Sequence, residues 1–402
     1  MQRIKILVIS HLYPSTFSEI GGRFVHQQVK ELQKQGCEVI VISPTPWLPF
    51  PINHFSKKWK LYSEVPDKMI CDGIEVYYPR FLQFPKNLFS VSSGRRLYSG
   101  IRKLVEEIYG DFKFDVIQSH VALSDGFAGM MLKRQYNRPL VVTVHGDDLQ
   151  VTIYRGAGCY KALARVFQNA DKIVTVSAKL KRLIEDNFGF PQKLIVNNNG
   201  IKPDEITSGN TELASRYAGS QVILSVSYLN TEKGLELNIK TIARITSKYP
   251  ALKYLVIGNG PQAFALRKLS HDLNLENQIE FLGELTHDKV MQYMTIADIF
   301  SLPSWNEGFG IVYIEAMAHG KPVIACEGEG IADVIEHGET GLLIKPKDVE
   351  SLTQAMDFLL SNPDKAREIG ERAKKLVLEN YTWEKNARKY IELYKELITN
   401  YG

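Results

Sequence analysis

An α/β fold of two tandem, doubly wound parallel-sheet domains is predicted for these 402 residues by three observations. Short apolar runs rich in β-branched residues alternate with helix-like segments along almost the whole chain, the pattern of strands buried between helices. The alternation is interrupted after Gly200 by the polar, turn-rich stretch "IKPDEITSGNTELASRYAGS" and then begins again. The length also exceeds what one core ordinarily fills, so two domains of nearly equal size are expected.

The elements follow in order. "IKILVIS" reads as the first strand, and "FVHQQVKELQKQG" as a helix stopped by Gly36. "CEVIVIS", "FDVIQ", "PLVVTVH", "KIVTVS" and "KLIVNNN" supply further strands, with helical patterns between them. After the linker come "QVILSVS", "KYLVIG", "IEFLG", "IFSLPS", "KPVIA" and "GLLI", and then a charged helical tail from about residue 363. The expected division is 1–205 for the first domain and 206–384 for the second, with a final helix at 385–402. Open parallel sheets bind ligands at the carboxyl ends of their strands, so a cleft between two such edges is the expected place for a site.

Composition narrows the class. Apolar residues make up 44% and charged residues 23%, as in soluble globular proteins. Residues 1–200 hold 27 Lys and Arg against 17 Asp and Glu, which leaves 22 against 28 in the remainder. A basic first half suits an anionic membrane or an acidic acceptor; a basic solvated face without a partner explains it equally. Cys37, Cys71, Cys159 and Cys326 form no C-x-x-C pair, which argues against a zinc site or disulfide scaffold and fits a reducing cytoplasm. No segment reaches bilayer-spanning length without charge, so the expectation is a cytoplasmic protein, lying at most on the inner face of a membrane.

The segment most informative about chemistry is "SWNEGFGIVYIEAMAHGKPVIA", residues 304–325. A strand, "IFSLPS", leads into a glycine loop, and "IVYIEAMAH" follows as a helix. Glycines let backbone amides approach a ligand, and the helix adds its electropositive N-terminus, a combination suited to a diphosphate. Glu315, about one turn into the helix, can accept two hydrogen bonds from a ribose diol. Glu307, in the loop, would face a sugar at the other end of the ligand. A helix start with one acidic residue near its dipole and another exposed satisfies the same spacing.

The string "EGFGIVYIEAMAHGKPVIA" resembles the E-x7-E signature of retaining glycosyltransferases of the GT-B fold, in particular the large family 4 (group 1), whose fold is two Rossmann-like domains facing a cleft. That resemblance implies that Glu315 binds the nucleotide ribose, that Glu307 contacts the donor sugar, and that amides around Gly308, Phe309, Gly310 and Ile311 hold the phosphates. Other stretches resemble the family in the same order. "YPSTFSEIGGRFVHQQVKEL" resembles its first βα loop, with Gly21 and Gly22 near the donor. "DVIQSHVALSDGFAG" resembles a segment of its exopolysaccharide branch, and "VVTVHGDD" its histidine loop, with His145 in the cleft. "VNNNGIKPDEI", containing Asn199, resembles the string closing the first domain. "TEKGLE" resembles the Lys-Gly motif, with Lys233 facing the diphosphate, and "VIGNGPQ", with Gly260, matches as well. The final helix, 385–402, resembles the one that crosses back to the first domain in this fold, and the catalytic set implied is Glu307, His145 and Lys233. No metal and no cofactor beyond a UDP- or GDP-sugar donor are expected.

Two departures stand out. Ser227 and Tyr228 occupy positions where the family often has Gly and Arg, so a charge-assisted phosphate contact is lost and Lys233 is the visible cation. Lys202 stands where an Asp is usual. Competing readings are a GT-B sugar-nucleotide epimerase or hydrolase, a sugar-nucleotide-binding protein without catalysis, and an NAD enzyme. The last rests on Gly258, Gly260 and Ala263 after a strand, with Glu280 downstream as a dinucleotide fingerprint requires, although that strand is not the first of its domain. His11, His26 and His120 lie near element ends and read as packing or surface histidines. Asp147 and Asp148 lack an Asp-x-Asp spacing and read as helix caps. Residues 86–110, mixing bases with Leu, Phe, Tyr and Ile, fit a helix in a membrane interface or a packed helix with a basic face. The expected partners are a nucleotide-sugar and a glycan or lipid-linked acceptor, with no nucleic acid.

Overall fold

The structure is a computed structural model that describes residues 3–18, 21–49, 56–84, 88–207 and 209–401. The chain divides into two compact units, one formed by Met1–Asn198 with Trp383–Gly402 and the other by Asn199–Thr382.

In the first unit the strands are β1 (Lys5–Ile9), β2 (Glu38–Ile42), β3 (Thr45–Trp47), β4 (Lys68–Cys71), β5 (Ile74–Tyr77), β6 (Arg80–Leu82), β7 (Val116–His120), β8 (Leu140–Val144), β9 (Lys172–Thr175) and β10 (Leu194–Val196). Eight of them form one sheet in the order β10-β9-β8-β7-β1-β2-β5-β4. All its pairs are parallel except β4 with β5, and β3 pairs with β6 in a separate parallel ribbon. Ile6, Leu7, Val8 and Ile9 are fully buried, as are Val116, Val141 and Val142, because helices cover both faces. The sheet order reverses between β1 and β7, so a crevice opens beyond their carboxyl ends.

The helix Trp383–Tyr401 belongs to this unit and inserts Ala387, Tyr390, Tyr394 and Leu397 into its core. Its polar groups are satisfied there. The Tyr394 hydroxyl donates to Gln118, Gln118 donates to Gln28 at 2.7 Å, Gln28 donates to Asn386 at 2.9 Å, and Asn386 donates to the Asn198 carbonyl at 2.8 Å. Tyr390 is hydrogen-bonded to Thr143 at 2.9 Å. Buried polar groups without such partners would oppose folding.

The second unit contains β11 (Gln221–Val226), β12 (Leu252–Ile257), β13 (Ile279–Gly283), β14 (Ile299–Ser301), β15 (Val323–Cys326) and β16 (Leu342–Ile344). They form a fully parallel sheet in the order β13-β12-β11-β14-β15-β16, which reverses between β11 and β14. Part of the expected linker folds onto this unit: Asn210 caps the helix Thr211–Arg216, and Tyr217 is buried with its hydroxyl 3.0 Å from Glu280. The unit boundary therefore lies at Asn198, seven residues before the sequence reading placed it, and Asn199 is a buried residue of the second unit. Among the described residues no helix is long and apolar enough to cross a membrane.

Candidate active site

The second unit gathers most of the residues singled out in the sequence. The loop after β11 delivers Lys233, and the loop after β14 delivers Glu307, so both arise at the point where strand order reverses. Their charged ends meet at 2.6 Å with little exposure, 19% and 15%. Gly234 makes this approach feasible. Its φ of +70° lies in the left-handed range, and a Cβ there would sit 2.3 Å from the Pro303 carbonyl oxygen. The Trp305 amide, in turn, donates to the Glu232 carbonyl at 3.0 Å, tying the two loops together.

A third carboxylate, Glu329, fixes the glycine loop. It is 8% exposed and accepts the Glu307 amide proton at 2.6 Å. Gly330 lies so close beneath that a Cβ would meet the Gly308 carbonyl oxygen at 2.1 Å. Gly308 and Phe309 are buried in this packing, and Gly310, with φ 87°, turns the chain into the helix Ile311–Ala318. Tyr313 anchors that helix by donating its hydroxyl to the Leu302 carbonyl. Burial, followed by the charge of Glu307, holds the Tyr313 phenol well above its ordinary range, so it stays a neutral donor. The helix's first amides have no carbonyl of their own helix to bond, which leaves Ile311 at an electropositive end.

Glu315 lies one turn further, 20% exposed, with His287 Nδ1 at 3.8 Å; His287 Nε2 is 3.3 Å from Glu205. The His319 ring nitrogen Nδ1 donates to the Glu315 carbonyl at 2.8 Å. Tyr228, one of the two departures noted in the sequence, is 64% exposed. Lys347 places its ammonium 5.1 Å above the Trp305 ring, a second cation beside the loop.

Gly258 and Gly260 have a packing explanation. Cβ atoms there would lie 1.8 Å from the Ser227 carbonyl oxygen and 2.5 Å from that of Leu229. The Leu229 amide donates to Asn259 at 2.9 Å, so the glycines seat one loop on the next. Glu280 is held by Arg216 at 2.7 Å and by Tyr217. The dinucleotide-like spacing is thus accounted for by structure.

In the first unit His145 directly follows β8, with Nε2 3.0 Å from Nδ1 of His120 and the Phe24 ring 4.6 Å away. Burial, then the neighbouring His11, pushes the His145 imidazole down to about 3, and burial with His145 pushes His120 well down. His145 is a neutral hydrogen-bonding group rather than a proton acceptor at neutral pH. Gly22 has φ 72°, and a Cβ would strike the Leu12 backbone at 2.2 Å; the Gly21 amide donates to Ser18 at 3.0 Å. The two residues before Gly21, and Lys86 and Asn87 of the basic segment, lie outside the described residues. Asp148 caps a neighbouring element rather than its own helix, accepting the Ala122 and Leu123 amides at 2.7 and 3.2 Å. His11, read from sequence as a packing histidine, pairs through Nδ1 with Asp125 at 2.8 Å. No sequence signal marked that pair, because its members are 114 residues apart.

A glycine loop, a helix N-terminus and a Lys–Glu pair thus stand together at the switch point of the second unit's parallel sheet. Comparison with known proteins makes the class specific. Residues 214–376 match the family model "Glycosyl transferases group 1", and residues 21–205 match "Glycosyltransferase Family 4". The chain is 29% identical over 359 residues to the Bacillus subtilis glycosyltransferase TuaC, named for teichuronic acid biosynthesis, with 88% of each chain covered. Among solved structures it is similar to the sucrose-phosphate synthase of Thermosynechococcus elongatus, with TM-score 0.81, 22% identity and coverage of 99% and 100% of the two chains. It is also similar to Anabaena HepE in complex with UDP and glucose, with TM-score 0.76, 19% identity and coverage of 98% and 100%. This chain belongs to the group 1 glycosyltransferases of the GT-B fold.

Proposed function

We propose that the chain is a retaining, metal-independent hexosyltransferase. It moves a sugar from a UDP- or GDP-sugar held by the second unit to a glycan or lipid-linked acceptor held by the first, in synthesis of a surface polysaccharide. The observation that carries the reading is the Lys233–Glu307 pair beside the N-terminus of the helix Ile311–Ala318. The HepE neighbour's complex with UDP and glucose and the teichuronic acid relative support the donor class and the setting.

In this reading the C1–O bond of the donor breaks heterolytically, with positive charge growing on the sugar and negative charge on the leaving diphosphate. Lys233 and the helix end at Gly310 stabilise the diphosphate, a task for fixed positive charge and dipoles. Glu315 holds the ribose diol, and Glu307 orients sugar hydroxyls. The acceptor oxygen bonds to C1 on the face the leaving group quits, and its proton passes to the leaving phosphate. His145, neutral, hydrogen-bonds the sugar. Fixed protein charges, Lys233 and the helix dipole, would do the work a cation does elsewhere. The first unit would meet a membrane peripherally through Leu88, Phe89 and Val91, which are 57%, 67% and 48% exposed beside a basic helix.

The test is thermal stabilisation and donor hydrolysis with UDP-, GDP- and ADP-sugars. Glu315→Ala should lose stabilisation by nucleotide, while Glu307→Ala should keep it and lose turnover by at least ~100-fold. Unchanged nucleotide stabilisation in Glu315→Ala contradicts the ribose assignment.

A further inference from the structure

A chain of polar side chains leads to Glu315 from the start of the second unit. The Lys202 ammonium is 3.5 Å from Oε1 of Glu205. Oε2 of Glu205 is 3.3 Å from Nε2 of His287, and Nδ1 of His287 is 3.8 Å from Oε1 of Glu315. The last three come from segments far apart in sequence: the turn Pro203–Glu205, the helix His287–Ile296 and the helix Ile311–Ala318. The fold of the second unit brings them together.

The chain is sheltered. The Lys202 and His287 side chains are 16% exposed, Glu315 20% and Glu205 31%. Charged contacts at such depth are screened less than those on an open surface. Each ring nitrogen of His287 faces a different carboxylate, and an imidazole with hydrogen on both nitrogens donates to two carboxylates at once. Glu205 holds the ring, and its other oxygen is steadied by Lys202. This contact also gives a task to Lys202, which the sequence left without one. The 3.8 Å approach to Glu315 is an ion-pair distance rather than a hydrogen-bond distance. It restrains that carboxylate without using the acceptor capacity that a diol needs.

We propose that His287 is a positioning residue for the donor's ribose: held at Nε2 by Glu205, it aims the Glu315 carboxylate at the diol through Nδ1. The inference rests on the ribose reading of Glu315. Fixing one conformation of a long carboxylate side chain before the ligand arrives removes part of the ordering cost of binding. The effect passes through Glu315, so it acts on the two ribose hydroxyls and spares the rest of the nucleotide.

The experiment measures, by calorimetry on the full chain and its variants, the affinities of UDP, GDP and their 2′,3′-dideoxy counterparts, which lack the diol. The wild type should bind UDP or GDP at least ~10-fold more tightly than the matching dideoxy form, and Glu315→Ala should abolish that preference. His287→Ala should weaken the ribonucleotide ~5-fold while leaving the dideoxy form within ~2-fold, and should add nothing in the Glu315→Ala background. His287→Asn, whose amide nitrogen stands where Nδ1 does, should recover most of the preference. Glu205→Gln removes the charge that holds the ring, should give a smaller loss of the same kind, and serves if His287→Ala does not fold. Equal weakening of both nucleotides by His287→Ala marks a merely structural role and overturns the proposal. So does an undiminished preference in both His287→Ala and Glu205→Gln; with the preference lost in Glu315→Ala, that result leaves the ribose reading standing. If Glu315→Ala keeps the wild-type preference, or if no nucleotide binds, the ribose reading fails and the proposal falls with it.

Discussion

Glu329 accepts the main-chain amide of Glu307 and so sets where that side chain can stand. Glu329→Ala would leave the Glu307 N–H without its acceptor, at a cost of about 1–3 kcal/mol. The expected outcome is a lower thermal midpoint and loss of donor turnover with UDP or GDP stabilisation retained, and Glu329→Gln, which keeps an acceptor oxygen, should restore most of both. The histidine pair gives a second residue-scale expectation. His145 and His120 bind a proton more weakly folded than unfolded, so the unfolded chain takes up more protons between pH 6.5 and about 3. Their contribution to stability therefore falls as pH falls through that window. Asp148, whose carboxyl burial pushes up to about 6, and His11, which burial would lower but the Asp125 charge raises, act in the opposite sense. The pair's share is isolated by difference: between pH 7 and 4.5 the His120→Asn/His145→Asn variant should lose at least about 2 kcal/mol less stability than the wild type. Equal losses, measured by urea titration at the two pH values, would refute the neutral pair. Glu307, Glu315 and Lys233 were legible because they fall within short strings tied to one strand–loop–helix unit. His11 with Asp125, and Glu329 with Glu307, were not legible, because those partners meet only through the topology of the sheets.

At the scale of elements, the clearest expectation concerns how loops seat on one another. Gly234 occupies a left-handed conformation against the Pro303 carbonyl. Gly234→Ala should destabilise the second unit by about 1–3 kcal/mol and abolish nucleotide stabilisation, since the Lys233 and Glu307 loops would have to part. The final helix makes a different case. Asn386→Leu keeps its apolar packing but leaves Gln28 and the Asn198 carbonyl without their partner, and should cost about 2–4 kcal/mol by denaturant unfolding. The central strands were readable because strands buried on both faces are nearly continuous apolar runs. β3 and β6 escaped notice: each has three residues, and Pro46 and Arg80 interrupt any apolar pattern. β4 and β5 did carry a signal. They are joined by Asp72 and Gly73, both at positive φ, the two-residue hairpin turn that an Asp-Gly pair marks.

Across the whole molecule, each unit places its polar cluster at the carboxyl edge where strand order reverses, between β1 and β7 in one and between β11 and β14 in the other. That shared rule is why an alternation of strands and helices pointed to the region of the site before any side chain was considered. It could not supply the division at Asn198, because the linker's polar residues fold into a cap and a short helix on the second unit. The measurement that bears most directly on the account is hydrogen–deuterium exchange of the full chain with and without UDP-glucose or GDP-mannose. Slower exchange is expected in residues 231–235 and 304–318 of the second unit with at least one of the two. Protection confined to other segments, with 304–318 unchanged at saturating nucleotide, would contradict the claim that this glycine loop and helix hold the donor.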